Sequence, residues 1–397
     1  MTSPREADGL SGVKSNPKPN GRLEWIDQLR TLMIVLVVNM HACVTYSHVG
    51  GWYAKEGPEP PLLDKLAFVL WQGHLQSFFM GILFLVAGYF AQGSLGRRGP
   101  AGFMRERLVR LGLPTLLYML AIHPLIVFVI NPYGNAYGSL GRAYARYVLS
   151  GSFIGGSGPM WFAAALLVFS ALFAGWRLLR PGAPAVDTEA RAVPGAAAIC
   201  IWSAALVAAT FLVRTVEPIG QSVLNMQLCY FPQYVLAFGA GIAAGKGDWL
   251  QPLARSPLAR RSGWAALALG PVALAVVLVA SGVLKGKGSG DLMGGWHLAS
   301  LGLSAWEQLA GVGLGLGALS FCSRRLDTST PLSRWLSERS FGVYLLHPPV
   351  LILLTLALRS FDIDLFFKVS IATGACLACS FLLADIARRI PGLRAFV

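Results

Sequence analysis

Two ionisable residues in the first apolar stretch have the spacing of a chemical site. The segment Arg22-Leu23-Glu24-Trp25-Ile26-Asp27-Gln28-Leu29-Arg30 leads into an apolar run that reaches Asn39-Met40-His41. Arg30 and His41 are eleven residues apart, so on a helix they are separated by almost three full turns and share one face, ~16 Å apart along the axis. With Arg30 at the cytoplasmic boundary, His41 falls near the middle of a bilayer, where an ionisable group is costly and marks a functional site by default. A neutral imidazole can take a proton from a hydroxyl, as a general base must. A guanidinium binds phosphate through two parallel hydrogen bonds. The pair therefore fits a long molecule, anionic at its cytoplasmic end and reactive at mid-membrane, and an acyl thioester of coenzyme A has that shape. Each residue also has a plainer reading: Arg30 pairing with Asp27 as a boundary anchor, and His41 satisfied by helix packing.

Further polar residues fall in the same stretches. Arg105, Arg107 and Arg110 stand at the mouth of the third apolar run, with Arg107 and Arg110 one turn apart. They either extend a phosphate clamp begun by Arg30 or serve as orientation charges, with Glu106 pairing Arg110. An acceptor entering from the far side would meet His74 and Gln76 in the second run, Asn225 and Gln227 in the sixth, and Glu307 in the eighth. A buried Glu needs a partner or a proton; Glu307 either orients His41, binds an acceptor hydroxyl, or pairs with Arg214 or a backbone group. Trp161, Trp52 and Trp296 have rings that stack on sugars, and equally are interfacial anchors. His347 precedes Pro348 and Pro349, which break the local helix and open backbone acceptors. It is either a satisfied histidine at a kink or a direct participant.

The elements that carry these residues follow from composition. Of 397 residues 55% are hydrophobic and 13% charged, about half the charge of a soluble protein. The net charge of +14 would suit nucleic acid only if it clustered on one soluble face; here it alternates with apolar runs of about 20 residues, the length that crosses a hydrocarbon core. Ten spans are predicted, at 25–47, 66–91, 108–130, 159–179, 196–214, 224–244, 262–284, 298–320, 338–358 and 367–388. With that register, and counting those at the ends of spans with the nearer side, 24 of the 33 Lys and Arg fall on the side of the termini and even-numbered loops. The positive-inside rule then predicts an all-α polytopic membrane protein with both termini cytoplasmic. Residues 1–22 read as a disordered cytoplasmic tail, 23–390 as the transmembrane domain and 391–397 as a short cytoplasmic tail. Residues 181–194 form a linker, and the loop 131–158, with Asn131-Pro132-Tyr133-Gly134, is a candidate interfacial helix.

Other patterns carry no chemistry. Cys376-x-x-Cys379 lies in an apolar helix and reads as small buried residues, and Gly311, Gly313, Gly315 and Gly317 read as close helix packing. His48, His123 and His297 have no metal-ligand spacing. No nucleic-acid partner, metal or permanently bound cofactor is expected. A secondary transporter is the rival reading; it would use His41 and Glu307 as a proton relay, with helices broken at Pro232 and Pro348.

Taken in order, these residues resemble the acyltransferase-3 family of membrane O-acyltransferases. The motifs are Arg30-x10-His41, Phe84-Leu85-Val86-Ala87-Gly88-Tyr89-Phe90, Arg107-Leu108-Val109-Arg110, Gly158-Pro159-Met160-Trp161-Phe162, and Ser340-Phe341-Gly342-Val343-Tyr344-Leu345-Leu346-His347. The resemblance covers roughly residues 22–390. Arg97-Arg98-Gly99-Pro100 ahead of Arg107 makes the chain look most like the periplasmic glucan succinyltransferase branch; where the family usually has Ser-Gly in the second span, this chain has Ala87-Gly88. The resemblance implies transfer of an acyl group from cytoplasmic acyl-CoA to a hydroxyl on an extracytoplasmic or lipid-linked acceptor, a glycan or small molecule, in the cell (inner) membrane. His41 would be the base and Arg30, Arg107 and Arg110 would hold the donor; acetyl, succinyl and longer acyl groups all fit.

Overall fold

Where no water reaches the backbone, an apolar run satisfies its amides most economically within one helix. The computed structural model describes residues 23–130, 139–180 and 192–395, and among them it forms helices and a single Val223–Met226 bridge, with no strand. In chain order the helices are α1 (Glu24–Ser47), α2 (Leu62–Arg107), α3 (108–130), α4 (Leu140–Leu149), α5 (Trp161–Leu178), α6 (Ala196–Arg214), α7 (Phe231–Gly247), α8 (Leu250–Arg255), α9 (Pro257–Ser281), α10 (Gly290–Met293), α11 (Leu298–Arg325), α12 (Pro331–Leu358) and α13 (Leu365–Arg389). The expected tail 1–22, most of the linker 181–194, and Asn131–Gly134 lie outside the described residues, as do residues 396–397. Within the loop 131–158, α4 forms with Tyr147 buried and Arg142 and Arg146 exposed.

Among the described residues eight helices are long and apolar enough to cross a membrane, against ten predicted spans. Two of the predicted spans, the second and third, belong to one helical stretch, Leu62–Ile130. That stretch is bent at Gly99, whose φ of 67° is a conformation open to glycine, and Pro100 restarts the helix where a missing amide N–H costs little. The predicted eighth span is present as α11, 28 residues long, but it carries Ser304, Glu307 and Gln308 on its buried face and is not among the eight.

Glycine decides how closely the helices cross. α2 packs along α7, α9 along α11, and α12 along α13. A Cβ on Gly88 would collide with the Phe238 carbonyl oxygen, and one on Gly241 with the Leu85 carbonyl oxygen, so the α2 and α7 backbones touch through both. In α11, Gly311 lies against the Ser77 carbonyl, Gly313 against Ala266 and Gly317 against Gly263. These are the small-residue contacts that let helices associate without a hydrophobic driving force between them.

The principal core fills the space between α1, α2, α5, α7, α12 and α13, with Trp25, Leu29, Met33, Phe84 and Tyr344 buried in it. Beside it lies a buried polar knot. Arg214 donates from Nη2 to Glu307 Oε2 at 2.6 Å and from Nη1 to Ser304 Oγ at 3.2 Å. Gln308 Nε2 donates to the other Glu307 oxygen at 2.9 Å, and Gln233 Nε2 donates to Gln308 Oε1 and to the Ser77 carbonyl. The knot ties α6, α7 and α11 to α2.

Two stability predictions follow from these contacts. Gly241→Val should cost about 3 kcal/mol or more, since the new side chain meets backbone on the facing helix; an unchanged melting temperature in detergent would show the crossing is looser. Glu307→Ala should cost about 3–5 kcal/mol by leaving the Arg214 charge buried and unpaired, read in the same melt.

Candidate active site

The site begins with the phase of α1. Arg30 and His41 both turn toward α12, as three helical turns require. Arg30 lines a small cleft of ≈ 60 Å³ with Ile34, Leu83, Phe162, Ser340, Phe341 and Tyr344. His41 lies further along, half-buried, and its Nδ1 is 2.9 Å from Nε2 of the fully buried His347. Tyr344 joins the two levels: it lines the cleft, its ring lies 6.2 Å from that of His347, and its hydroxyl donates to the Pro159 carbonyl. The cleft has room for only a few waters, and His41 is not part of its lining.

His41 is held on two sides. Trp52 stacks on its ring at 3.9 Å between centroids and 15° between planes. The indole comes from the loop 48–61, which is fastened at several points. Glu56 accepts two hydrogen bonds from Arg359, at 2.9 and 3.1 Å, and its amide donates to the Thr45 carbonyl at 2.9 Å. Ser47 Oγ donates to Gln72 Oε1 at 2.9 Å, and Gln72 Nε2 donates to the Val49 carbonyl at 3.1 Å. His347 supplies the other side. Its own Nδ1 lies 2.9 Å from the Tyr344 carbonyl and 3.3 Å from that of Val343. His41 Nε2 has no hydrogen-bond partner among the described residues.

Beyond Trp52 lies an aromatic network not anticipated from the sequence. Tyr53 Oη is 2.9 Å from Tyr118 Oη and 2.9 Å from His123 Nδ1, and His123 stacks on Tyr147. Burial pushes the hydroxyls of Tyr53 and Tyr147 up, the latter to about 12, so both stay protonated near neutral pH. The only sequence signal for this network is Gly158, which adopts φ 47° and sits so close to Tyr53 and Tyr118 that a Cβ has no room.

At the Arg30 end, basic side chains gather. Arg30, Arg98 and Arg110 all lie within Coulombic reach of Arg107. Arg30 pairs with Asp27 at 3.2 Å, Arg98 with Glu106 at 2.5 Å and Arg110 with Glu106 at 3.3 Å. Glu106 also accepts from Ser94 Oγ at 3.1 Å, so it fastens the two arms of the Gly99 bend and with them the positions of its arginines. Arg107 has no carboxylate within ion-pair distance among the described residues, Glu106 acting on it only at longer range; its guanidinium lies 5.1 Å from the Phe103 ring and its Nε is buried without an acceptor. Four guanidiniums against two carboxylates make this end anion-seeking. Arg98, which sequence reading held only within a motif, belongs to it.

The remaining predicted residues are placed elsewhere. Glu307 is not brought to His41: both its oxygens are engaged, by Arg214 and Gln308. His74 bonds the Leu70 carbonyl through Nδ1 at 2.6 Å and packs edge-on to Trp306. Gln76 donates to Tyr234 Oη at 3.4 Å, and Trp161 lies 5.6 Å from the Tyr234 ring. Asn225, with φ 64°, donates to the Gly158 carbonyl at 2.8 Å and to Ser157 Oγ at 3.2 Å, while Gln227 accepts from the Gly220 amide. Asn225 thus supports the Gly158 turn. Trp52, rather than Trp161, is the indole at His41. α12 continues through Pro348 and Pro349 instead of breaking there, and Pro232 lies in the first turn of α7. A larger apolar cavity of ≈ 340 Å³ between α2, α6, α7 and α11 is lined by none of the predicted residues. Among the described residues no group of His, Cys, Asp or Glu is arranged to hold a metal.

No curated protein and no solved structure matches this chain. The sequence profile of the acyltransferase domain family does match, over residues 23–385. That interval runs from the start of α1 into α13 and contains the arginine rim, the His41–His347 pair and the loop that carries Trp52. The chain is a multi-pass membrane protein that belongs to the acyltransferase-3 family, and is thus an acyltransferase.

Proposed function

We propose that this acyltransferase moves an acyl group from acyl-CoA to a hydroxyl of an extracytoplasmic or lipid-linked carbohydrate, with the Arg30 end of the bundle in the cytoplasm of an inner-membrane protein. The observation that carries this reading is the pairing of a half-buried His41, one ring nitrogen engaged and the other without a partner, with an arginine-rich rim at the other end of the same helix face. Acyl-CoA is a co-substrate here and no cofactor is permanently bound.

In this reading Arg107, with Arg30, Arg98 and Arg110 around it, takes the phosphates of the donor. The acyl-pantetheine arm passes Phe162 and Tyr344, which must shift because the cleft at rest is far smaller than the arm. His41 Nε2 accepts the proton of the acceptor hydroxyl as its oxygen bonds to the thioester carbon. The C–S bond breaks, and the imidazolium returns the proton to the departing CoA thiolate. Trp52 and Tyr53 lie on the acceptor side of His41 and suit a sugar, one as a stacking face and the other as a hydroxyl donor or acceptor. Transport without chemistry draws less support: Glu307 is committed to Arg214, and neither Pro232 nor Pro348 interrupts its helix.

Membranes or purified protein supplied with labelled acyl-CoA should show label transfer or CoA release that His41→Ala lowers by on the order of 10²–10⁴-fold. Equal rates in both proteins would remove His41 from the chemistry. Arg107→Ala combined with Arg110→Ala should raise the donor KM about tenfold or more, a loss of roughly 1.4 kcal/mol or greater, with the acceptor KM little changed. A donor KM that does not move would return the pair to orienting the helix.

A further inference from the structure

α12 passes through two consecutive prolines, and their effect on its hydrogen bonds falls on His347. Proline has no amide hydrogen, so Pro348 cannot donate to the carbonyl four residues before it, which is that of Tyr344. That carbonyl is buried in the bundle, where an unpaired acceptor is costly. His347 Nδ1 lies 2.9 Å from it and 3.3 Å from the Val343 carbonyl. A carbonyl oxygen only accepts, so Nδ1 of His347 carries a proton. In the neutral ring Nε2 is then an acceptor, and the atom facing it at 2.9 Å is His41 Nδ1. His41 Nδ1 is therefore the donor of that bond, which leaves His41 Nε2 as the bare nitrogen. Stacking of Trp52 on the ring keeps His41 in this orientation.

We propose that His347 is a positioning residue that sets the tautomer of His41, and that Pro348 sets the tautomer of His347 by freeing the Tyr344 carbonyl. The relay runs from a backbone carbonyl through two imidazoles and ends at the nitrogen that abstracts the proton. A second-ring partner of this kind fixes both orientation and protonation site of a base. The mechanistic consequence rests on His41 being the base; the tautomer itself does not.

The test uses the full chain in lipid nanodiscs with ¹⁵N-labelled histidine, the His41 signals being assigned by their loss in His41→Ala. Wild type should show His41 protonated at Nδ1 and bare at Nε2. His347→Leu removes the acceptor and should shift His41 toward the Nε2-protonated form, with kcat falling on the order of 10²–10⁴-fold and donor KM nearly unchanged. His347→Gln places an amide oxygen near the lost Nε2 and should recover part of kcat. Pro348→Ala restores the amide donor to Tyr344 and should loosen the assignment at His347. A wild-type His41 protonated at Nε2 overturns the proposal, as does a His347→Leu protein with unchanged tautomer and kcat. The wild-type spectrum decides even where the Leu variant fails to fold. A fully active His41→Ala would remove His41 as the base while leaving the wild-type tautomer result to stand or fall separately.

Discussion

A backbone carbonyl inside a hydrocarbon slab has no water to turn to, and the arrangement of this protein's site depends on where such carbonyls are left over. Most are consumed by their own helices. The Tyr344 carbonyl is not, because the residue that should bond it is Pro348, and the polar group that reaches it is the His347 ring. His347 in turn has one nitrogen left, and it meets His41. One missing N–H thus organises two imidazoles on different helices, and it does so while α12 continues through the prolines.

Bringing those helices to the right distance is the work of small residues. Gly88 and Gly241 let the backbones of α2 and α7 touch, and Gly311, Gly313 and Gly317 do the same for α11 against α2 and α9. A scaffold packed this closely can hold buried polar groups whose partners sit on other helices, as the Arg214–Glu307–Gln308–Gln233 knot shows. The bend at Gly99 serves the opposite end. It folds a long helical stretch so that Arg98 reaches Glu106, which Arg110 already meets one turn on, and so gathers the rim of positive charge around Arg107.

Much of this was legible in the chain, for a definite reason: apolar length and helical phase are local properties. The helices, the shared face of Arg30 and His41, the Arg110–Glu106 pair and the packing role of the α11 glycines all follow from local spacings along a helix. Spans two and three are joined because the polar segment between their apolar runs, which carries Arg97, Arg98, Arg105 and Arg107, is itself helical on both sides of the Gly99 bend, and a break in the apolar pattern is not a break in the helix. Trp52 and His347 stand out in the sequence, but their meeting at His41, and the Tyr53–Tyr118–His123 network beyond, do not, because α1, the loop 48–61, α3 and α12 carry no spacing that relates them to one another.

The sequence by itself determined that this chain is helical and membrane-spanning, and which turn of α1 bears the ionisable pair, because hydrocarbon imposes one backbone solution and a helix one periodicity. Only the tertiary structure decided which groups meet those two residues: Glu307 goes to Arg214, Trp52 instead of Trp161 covers His41, and His347 supplies its hydrogen-bond partner. Those choices depend on the approach and rotation of separate helices, and such quantities are set by packing across the bundle, which no local spacing encodes.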